Sequence, residues 1–189
     1  PQVSALLLGL GQYGTEMLKA LAWFGQMDGY DLRLTAVDAR PNARELFTYR
    51  CPELMDRRHN GQRIPGEAQY DIRIHAGMRL ESREFLELVQ TLPQLTYVFV
   101  ALGSDTRNIE AAVRLRELCQ RRGLHPYILA VVQDPFKTVA LTSVTDYRGT
   151  PYDLHFLGAR DMLYSESNIL HSRLEEEALT RHLQWGDED

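Results

Sequence analysis

Six residues constrain this chain more than any others. They are Gly9-Leu10-Gly11-Gln12-Tyr13-Gly14, a GxGxxG set directly after the apolar run Val3 to Leu8 and before a segment of helical periodicity. A short continuous apolar run ending in glycine has the pattern of a parallel strand buried on both faces. Behind the loop, Gly14, Met17, Leu18, Leu21 and Phe24 recur every three to four residues, which predicts a helix with one apolar face reaching about Gly25. Each glycine then has its own task at the strand-to-helix turn. Gly9 permits the tight turn, Gly11 lets a pyrophosphate approach the backbone without meeting a Cβ, and Gly14 lets the helix lie close on the strand. The free N–H groups of the helix's first turn, with the dipole behind them, face those phosphates. The alternative, that the glycines serve packing alone around an empty cleft, stays open at this level.

The rest of the chain supplies the context that a glycine loop needs. Leu32, Leu34, Ala36 and Val37 predict a second strand ending at Asp38, 24 residues after Gly14. A carboxylate there accepts hydrogen bonds from ribose hydroxyls and opposes a 2′-phosphate, which favours NAD(H), or otherwise ATP, ADP or AMP, over NADP. Arg40 follows, with a guanidinium able to stack on adenine or clamp a phosphate. Tyr70, Ile72 and Ile74 alternate as a third strand, and a helix follows near Ser82 to Leu92, broken by Pro93. Thr96 to Leu102 reads as a central strand; Ser104 or Asp105 caps the helix that runs from there to Gly123. Tyr127 to Val132 is a fifth strand, Pro135 to about Val144 a short helix, and Leu154 to Leu157 a sixth strand. With right-handed crossovers this alternation predicts an α/β fold with a doubly wound, mostly parallel Rossmann sheet of order 3-2-1-4-5-6. Ligands of such sheets lie beyond the carboxyl ends of strands one and four, so Ala101, Leu102 and Gly103 should line the site. Gly103 reads equally as a turn glycine, and Asp105 as an N-cap before a catalytic acid. The candidate cofactor-binding set is therefore Gly9, Leu10, Gly11, Gln12, Tyr13, Gly14, Asp38, Ala39, Arg40, Ala101, Leu102 and Gly103.

Two stretches fall outside the minimal pattern. Residues 51–69 are polar, carry prolines and exceed the usual connection in α/β units, so an ordered insertion or a lid is expected. At the other end, Leu163, Leu170, Leu174, Ala178 and Trp185 fall within about 80° on a helical wheel, a C-terminal helix with one apolar stripe. Charge separates the same two regions. Residues 1–159 hold 18 basic and 18 acidic side chains, and the whole net charge of −5 resides in residues 160–189. The expected organisation is a nucleotide-binding domain over 1–159 followed by an acidic docking or linker helix and tail over 160–189. A start at Pro1 with a strand two residues later suggests a piece excised from a longer protein.

Composition then removes several functions. No apolar run reaches the roughly 18 residues that a transmembrane helix needs, so a cytoplasmic protein without direct membrane insertion is expected. A neutral core lacks the one-signed basic surface of a nucleic-acid binder. Lys19 and Lys137 are the only lysines among nineteen arginines, and the residues four before them are Thr15 and Gln133, which closes the Tyr-x-x-x-Lys route of short-chain reductases. Neither lysine sits in GK[ST], which removes a P-loop ATPase. Asn42 and Arg44 faintly echo adenylating enzymes of the ubiquitin-activating type, without their further phosphate-binding groups. Cys51 and Cys119 have no CxxC spacing and read as free thiols. His171, Glu175 and His182 share about 40° of the terminal helix, but no fourth ligand is spaced to complete a tetrahedron, so no metal site is expected.

The segments LLLGLGQYGTEMLKAL, TAVDARPNA, YVFVALGSDTRNIEAAVRLREL and LHFLGARDMLY together resemble the nucleotide-binding domain of bacterial potassium-uptake regulators, the TrkA-N or RCK family. The resemblance spans about residues 3–160 and is most specific around Asp105 and Asn108. It implies a non-catalytic regulatory domain, often a homodimer, that binds NAD(H) or an adenine nucleotide and relays its occupancy to a transporter or another attached module. It also implies phosphate contacts at Gly9, Gly11 and Gly14, a ribose contact at Asp38, and Ala101 to Gly103 beside the cofactor. The family's Gly-Asp after the third strand is Gly77-Met78 here, so one acidic ligand contact is missing. The last segment resembles a helix leading into a following module, in some related bacterial proteins a ryanodine-receptor-like repeat. Two alternatives remain: an NAD-dependent oxidoreductase, or a subunit of one, completed by a partner chain, and a scaffold with an empty cleft.

Overall fold

A computed structural model describes residues 2–55, 58–59, 62–63, 70–92, 94–134, 136–137 and 151–158. The first strand, β1 (Gln2–Leu8), alternates its side chains between two cores: Leu6 and Leu8 enter one, Ala5 and Leu7 the other. A strand with a side-chain period of two favours apolar residues at every position when both faces are covered, and Val3 to Leu8 follows this except at Ser4, which is buried at 1% exposure. Helix α1 (Gln12–Phe24) buries Gly14, Thr15, Leu18 and Ala22 on the Leu7 side. Strand β2 (Asp31–Asp38) then lies parallel to β1, from Gln2 opposite Asp31 to Leu8 opposite Val37.

Beyond β2 the chain forms α2 (Ala43–Arg50), a helix the periodicity did not disclose because only Ala43 and Phe47, one turn apart, are buried. The stretch 51–69 opens with α3 (Pro52–Met55) and a two-residue hairpin, β3 (Arg58–His59) against β4 (Gln62–Arg63). The remainder of that stretch lies outside the described residues. Strand β5 (Asp71–Ala76) pairs with β2 as the outer strand, and α4 (Arg83–Thr91) packs Phe85 and Val89 into the Leu6–Leu8 core, with Ser82 Oγ accepting from Phe85 N at 3.2 Å as its N-cap. Strand β6 (Tyr97–Val100) pairs with the free edge of β1, α5 (Asp105–Arg121) covers it with Ala112, Leu115 and Cys119, and β7 (Tyr127–Val131) and β8 (Leu154–Leu157) complete the sheet.

The sheet order is β5-β2-β1-β6-β7-β8, with all five pairings parallel. Counted along the chain, its six strands run 3-2-1-4-5-6, the doubly wound Rossmann order expected from the pattern. The chain winds outward from β1 in one direction, returns and winds in the other, so the reversal falls between β1 and β6. Two long side chains fasten the second half. Arg116, 2% exposed on α5, donates from Nε to Tyr152 O at 2.6 Å and from Nη2 to Asp153 O at 2.8 Å, holding the turn into β8. Arg122 donates to Val89 O and Leu92 O, tying the end of α5 to the end of α4. Cys51 and Cys119 are free, buried thiols whose pKa burial raises. Among the described residues no helix is long and apolar enough to cross a membrane. The predicted helix from Pro135 to Val144 lies outside the described residues except for Phe136 and Lys137; the acidic segment 160–189, with His171, Glu175 and His182, lies wholly outside them.

Candidate nucleotide cleft

At the strand-order reversal the loops after β1 and β6 diverge, leaving a cleft of ≈ 490 Å³ beyond the carboxyl ends of the strands. That is within the roughly 300–1,000 Å³ usual for small-molecule sites. Gly9, Gly11, Gln12, Tyr13, Asp38, Ala39, Arg40, Ala101, Leu102 and Gly103 line it, so ten of the twelve expected residues meet there. The other two face away from it. Leu10 is buried in the core on the α1 side, and Gly14 is closed in by the turn itself. Asn42 and Arg44, the faint adenylating-enzyme echo, are outside the lining.

The glycines separate into packing and open positions. A Cβ on Gly9 (φ +88°) would lie 2.3 Å from Ala101 O, and one on Gly14 would lie 1.8 Å from Gly9 O. Both are backbone collisions, so the close approach of β1, α1 and β6 already requires glycine at these positions. Gly11 differs: a Cβ there would meet nothing within 4 Å, and the backbone (φ −65°, ψ −162°) suits any residue. It is the N-cap of α1, where Ser, Thr, Asp or Asn would supply a side-chain acceptor; here there is no such cap, and no acid in the first turn. Nothing within the described fold demands glycine at this position. Gly103, at φ +89° with open space around it, is accounted for by its turn conformation alone.

Asp38 ends β2 as expected and is 7% exposed. Its Oδ2 accepts from Leu10 N at 2.7 Å and from Arg40 Nη2 at 2.9 Å, while Oδ1 accepts from Arg40 N at 2.8 Å and Arg40 Nε at 2.9 Å. Arg40 Nη2 also reaches Leu10 O at 2.9 Å. Burial by itself would raise the Asp38 pKa, but the hydrogen bonds from the Arg40 side chain, and then from the Arg40 and Leu10 N–H groups, outweigh it and hold the carboxyl below its ordinary value. The neighbouring loop holds this arrangement in place: Gly77 N donates to Arg40 O and Met78 N to Asp38 O. At Gly77-Met78, where the resembled family has an acid, backbone contacts fasten the β2 end.

The opposite wall is built by α5. Ser104 is its N-cap, with Oγ accepting from Arg107 N at 3.4 Å. Asp105 is therefore not the cap: it is the first helical residue, and its carboxylate crosses to the loop after β7, accepting from Gln133 N at 3.0 Å and Asp134 N at 2.9 Å. Asn108, 2% exposed, accepts from Leu102 N at 2.6 Å and donates to Val131 O at 2.6 Å, joining the ends of β6 and β7. Gln133 Nε2 donates to Tyr13 Oη at 3.1 Å, so the β7 loop touches the glycine-loop helix. Ser104, Arg107, Val131 and Gln133 were absent from the expected lining. One legible signal existed for the Asn108 clamp: it precedes Ala112, Leu115 and Cys119 by four, seven and eleven residues, a polar side chain in an apolar face. No three His, Cys, Asp or Glu side chains among the described residues gather as a metal site.

No protein-family model matches the chain, and no curated protein matches it. Among solved structures, that of RSP, a Rex-family repressor, is similar at 14% identity and a TM-score of 0.43, covering 96% of this chain and 63% of that one. The structure of RSP in complex with beta-NADH is similar at 15% identity and a TM-score of 0.42, covering 96% and 64%. The chain thus spans less than two thirds of the length of these solved chains. Its assignment to the Rossmann fold rests on its own six-stranded parallel order.

Proposed function

We propose that the chain is a non-catalytic sensor domain whose cleft binds NAD(H), or otherwise ATP, ADP or AMP, and relays occupancy to an attached or partner module. The observation that carries this reading is Gly11. Packing explains Gly9 and Gly14 and turn geometry explains Gly103, whereas Gly11 leaves an open cradle against an uncapped helix N-terminus, where a side chain would obstruct a phosphate. Gly11 and the first-turn N–H groups would hold the pyrophosphate, Asp38 the adenosine ribose, and Ala101 to Gly103 the far half of a dinucleotide.

The cleft's own chemistry supports a binding role. Its carboxylates, Asp38 and Asp105, are each engaged by backbone N–H groups, which suits holding a wall in place better than moving protons. The relay would run through the loop after β7, since Gln133 touches Tyr13 across the cleft and is held by Asp105. A ligand shifts that loop only by favouring one arrangement over another. In the TrkA-N or RCK reading, the receiving module is a potassium transporter or a fused C-terminal domain, and the sensor is a homodimer.

Melting curves recorded with NAD+, NADH, NADP+, ATP, ADP and AMP test the proposal. A ligand at 100 times its dissociation constant adds about 2.7 kcal/mol of stability, which for a domain of this size raises Tm by roughly 5–10 °C. No shift with any nucleotide leaves the scaffold reading standing. NADH oxidation by the isolated chain would show that it is an enzyme.

A further inference from the structure

Asp38 has about four acceptor positions on its two oxygens, and four donors already occupy them: Leu10 N, Arg40 N, Arg40 Nε and Arg40 Nη2. The two guanidinium donors stand where an adenosine ribose must place its hydroxyls if Asp38 is to receive them. Arg40 is suited to leave. Its side chain is 44% exposed beside a carboxylate only 7% exposed, and its backbone is held separately, with Arg40 N on Asp38 and Arg40 O on Gly77 N and Ala43 N. The side chain can therefore swing away while the loop stays in place. The backbone donors Leu10 N and Arg40 N remain on Asp38 after such a swing, so two of its acceptor positions are released and two kept.

Building on the nucleotide reading above, we propose that Arg40 is a self-ligand of the ribose site. An adenine nucleotide binds by exchanging its ribose hydroxyls for the Arg40 guanidinium, and the charge of Arg40 sets how strictly the site discriminates at the 2′ position. With Arg40 present, the positive guanidinium balances Asp38, so a 2′-phosphate meets a nearly neutral edge. Without Arg40, Asp38 alone faces the 2′ position: a free hydroxyl gains an uncontested acceptor and a phosphate meets a bare negative charge. Removing Arg40 therefore strengthens NAD+ binding and weakens NADP+ binding.

Calorimetric titration of wild type, Arg40→Ala and Arg40→Gln with NAD+ and NADP+ separates the outcomes, the second variant standing in if the first does not fold. NAD+ affinity is expected to rise about three- to tenfold in both variants, the scale of losing a partly exposed charge-assisted hydrogen-bond pair. NADP+ affinity should fall, so the selectivity ratio rises by more than either change alone. In the absence of nucleotide, the variants should melt lower than wild type and titrate Asp38 at a higher pH by carboxyl NMR, because the strongest donor has gone. If NAD+ binds the variants more weakly while the ratio stays constant, Arg40 is a direct ligand contact and the self-ligand proposal is overturned, although nucleotide binding itself stands. If neither wild type nor variants bind any adenine nucleotide, the nucleotide reading falls and this proposal falls with it.

Discussion

Exchanging Gly9 and Gly11 separately for alanine distinguishes glycines needed by the fold from a glycine kept open for a ligand. At Gly9, alanine must adopt φ +88°, a left-handed conformation costing an L-residue about 1–2 kcal/mol. Its Cβ would also stand 2.3 Å from Ala101 O and 2.9 Å from Ala101 C, where the neighbour is backbone at the end of β6 and cannot rotate away. Overpacking of this kind costs about 1–3 kcal/mol. The two effects together come to about 2–5 kcal/mol, and at about 2–4 °C per kcal/mol the Tm falls by roughly 10 °C. At Gly11 neither penalty applies, since φ is −65° and a Cβ has nothing within 4 Å. Alanine is a poorer N-cap than glycine by about 0.5 kcal/mol, while the reduced entropy of the unfolded chain returns about 0.4–1 kcal/mol, so stability is unchanged within about 0.5 kcal/mol. Urea and thermal unfolding of both variants, with and without NAD+, give the comparison. Gly11→Ala is expected to melt like wild type and to lose the nucleotide-induced shift. A Gly11→Ala variant that melts as low as Gly9→Ala shows hidden packing at that position. One that keeps the full nucleotide shift would falsify the phosphate seat and return all three glycines to a packing role.

Stability should also depend on pH through Asp38. Its folded pKa lies below the ordinary value of 3.8, so its contribution is fully present above the unfolded value and is lost as pH falls through the folded one. Asp38→Asn should therefore be less stable than wild type near neutrality and show a flatter decline of the urea midpoint across that acid window; parallel curves for the two proteins would refute the linkage. Asn108→Ala removes the acceptor for Leu102 N and the donor for Val131 O at a buried position, at a cost of about 2–4 kcal/mol. A urea midpoint lowered by less than about 1 kcal/mol of stability would mean that the loops after β6 and β7 hold without it.

Nearly all of the sheet was legible because its signals are local and repeated. The run from Val3 to Leu8, interrupted only by Ser4, and the alternation at Tyr70, Ile72 and Ile74 report which faces must be buried. The handedness of βαβ crossovers then leaves few ways to order the strands. Helix α2 escaped because it is short and buries one turn's worth of contacts, too little to register as periodicity. Which of Ser104 and Asp105 caps α5 stayed open in the sequence for a different reason. Both residue types suit an N-cap, and only the approach of Gln133 and Asp134, 28 and 29 residues on, gives the Asp105 carboxylate a better use.

What the sequence determined by itself was the doubly wound order and the gathering of Gly9, Gly11, Asp38 and Ala101 to Gly103 at its reversal. Burial pattern and chain handedness are properties that short segments carry with them. What only the tertiary structure decided was the state of that cleft: which glycine is open, Arg40 seated on Asp38, and Asn108 and Gln133 fastening the far wall. Those contacts join residues on separate elements through side-chain directions, and such directions exist only once β1, β2, β6 and β7 lie side by side.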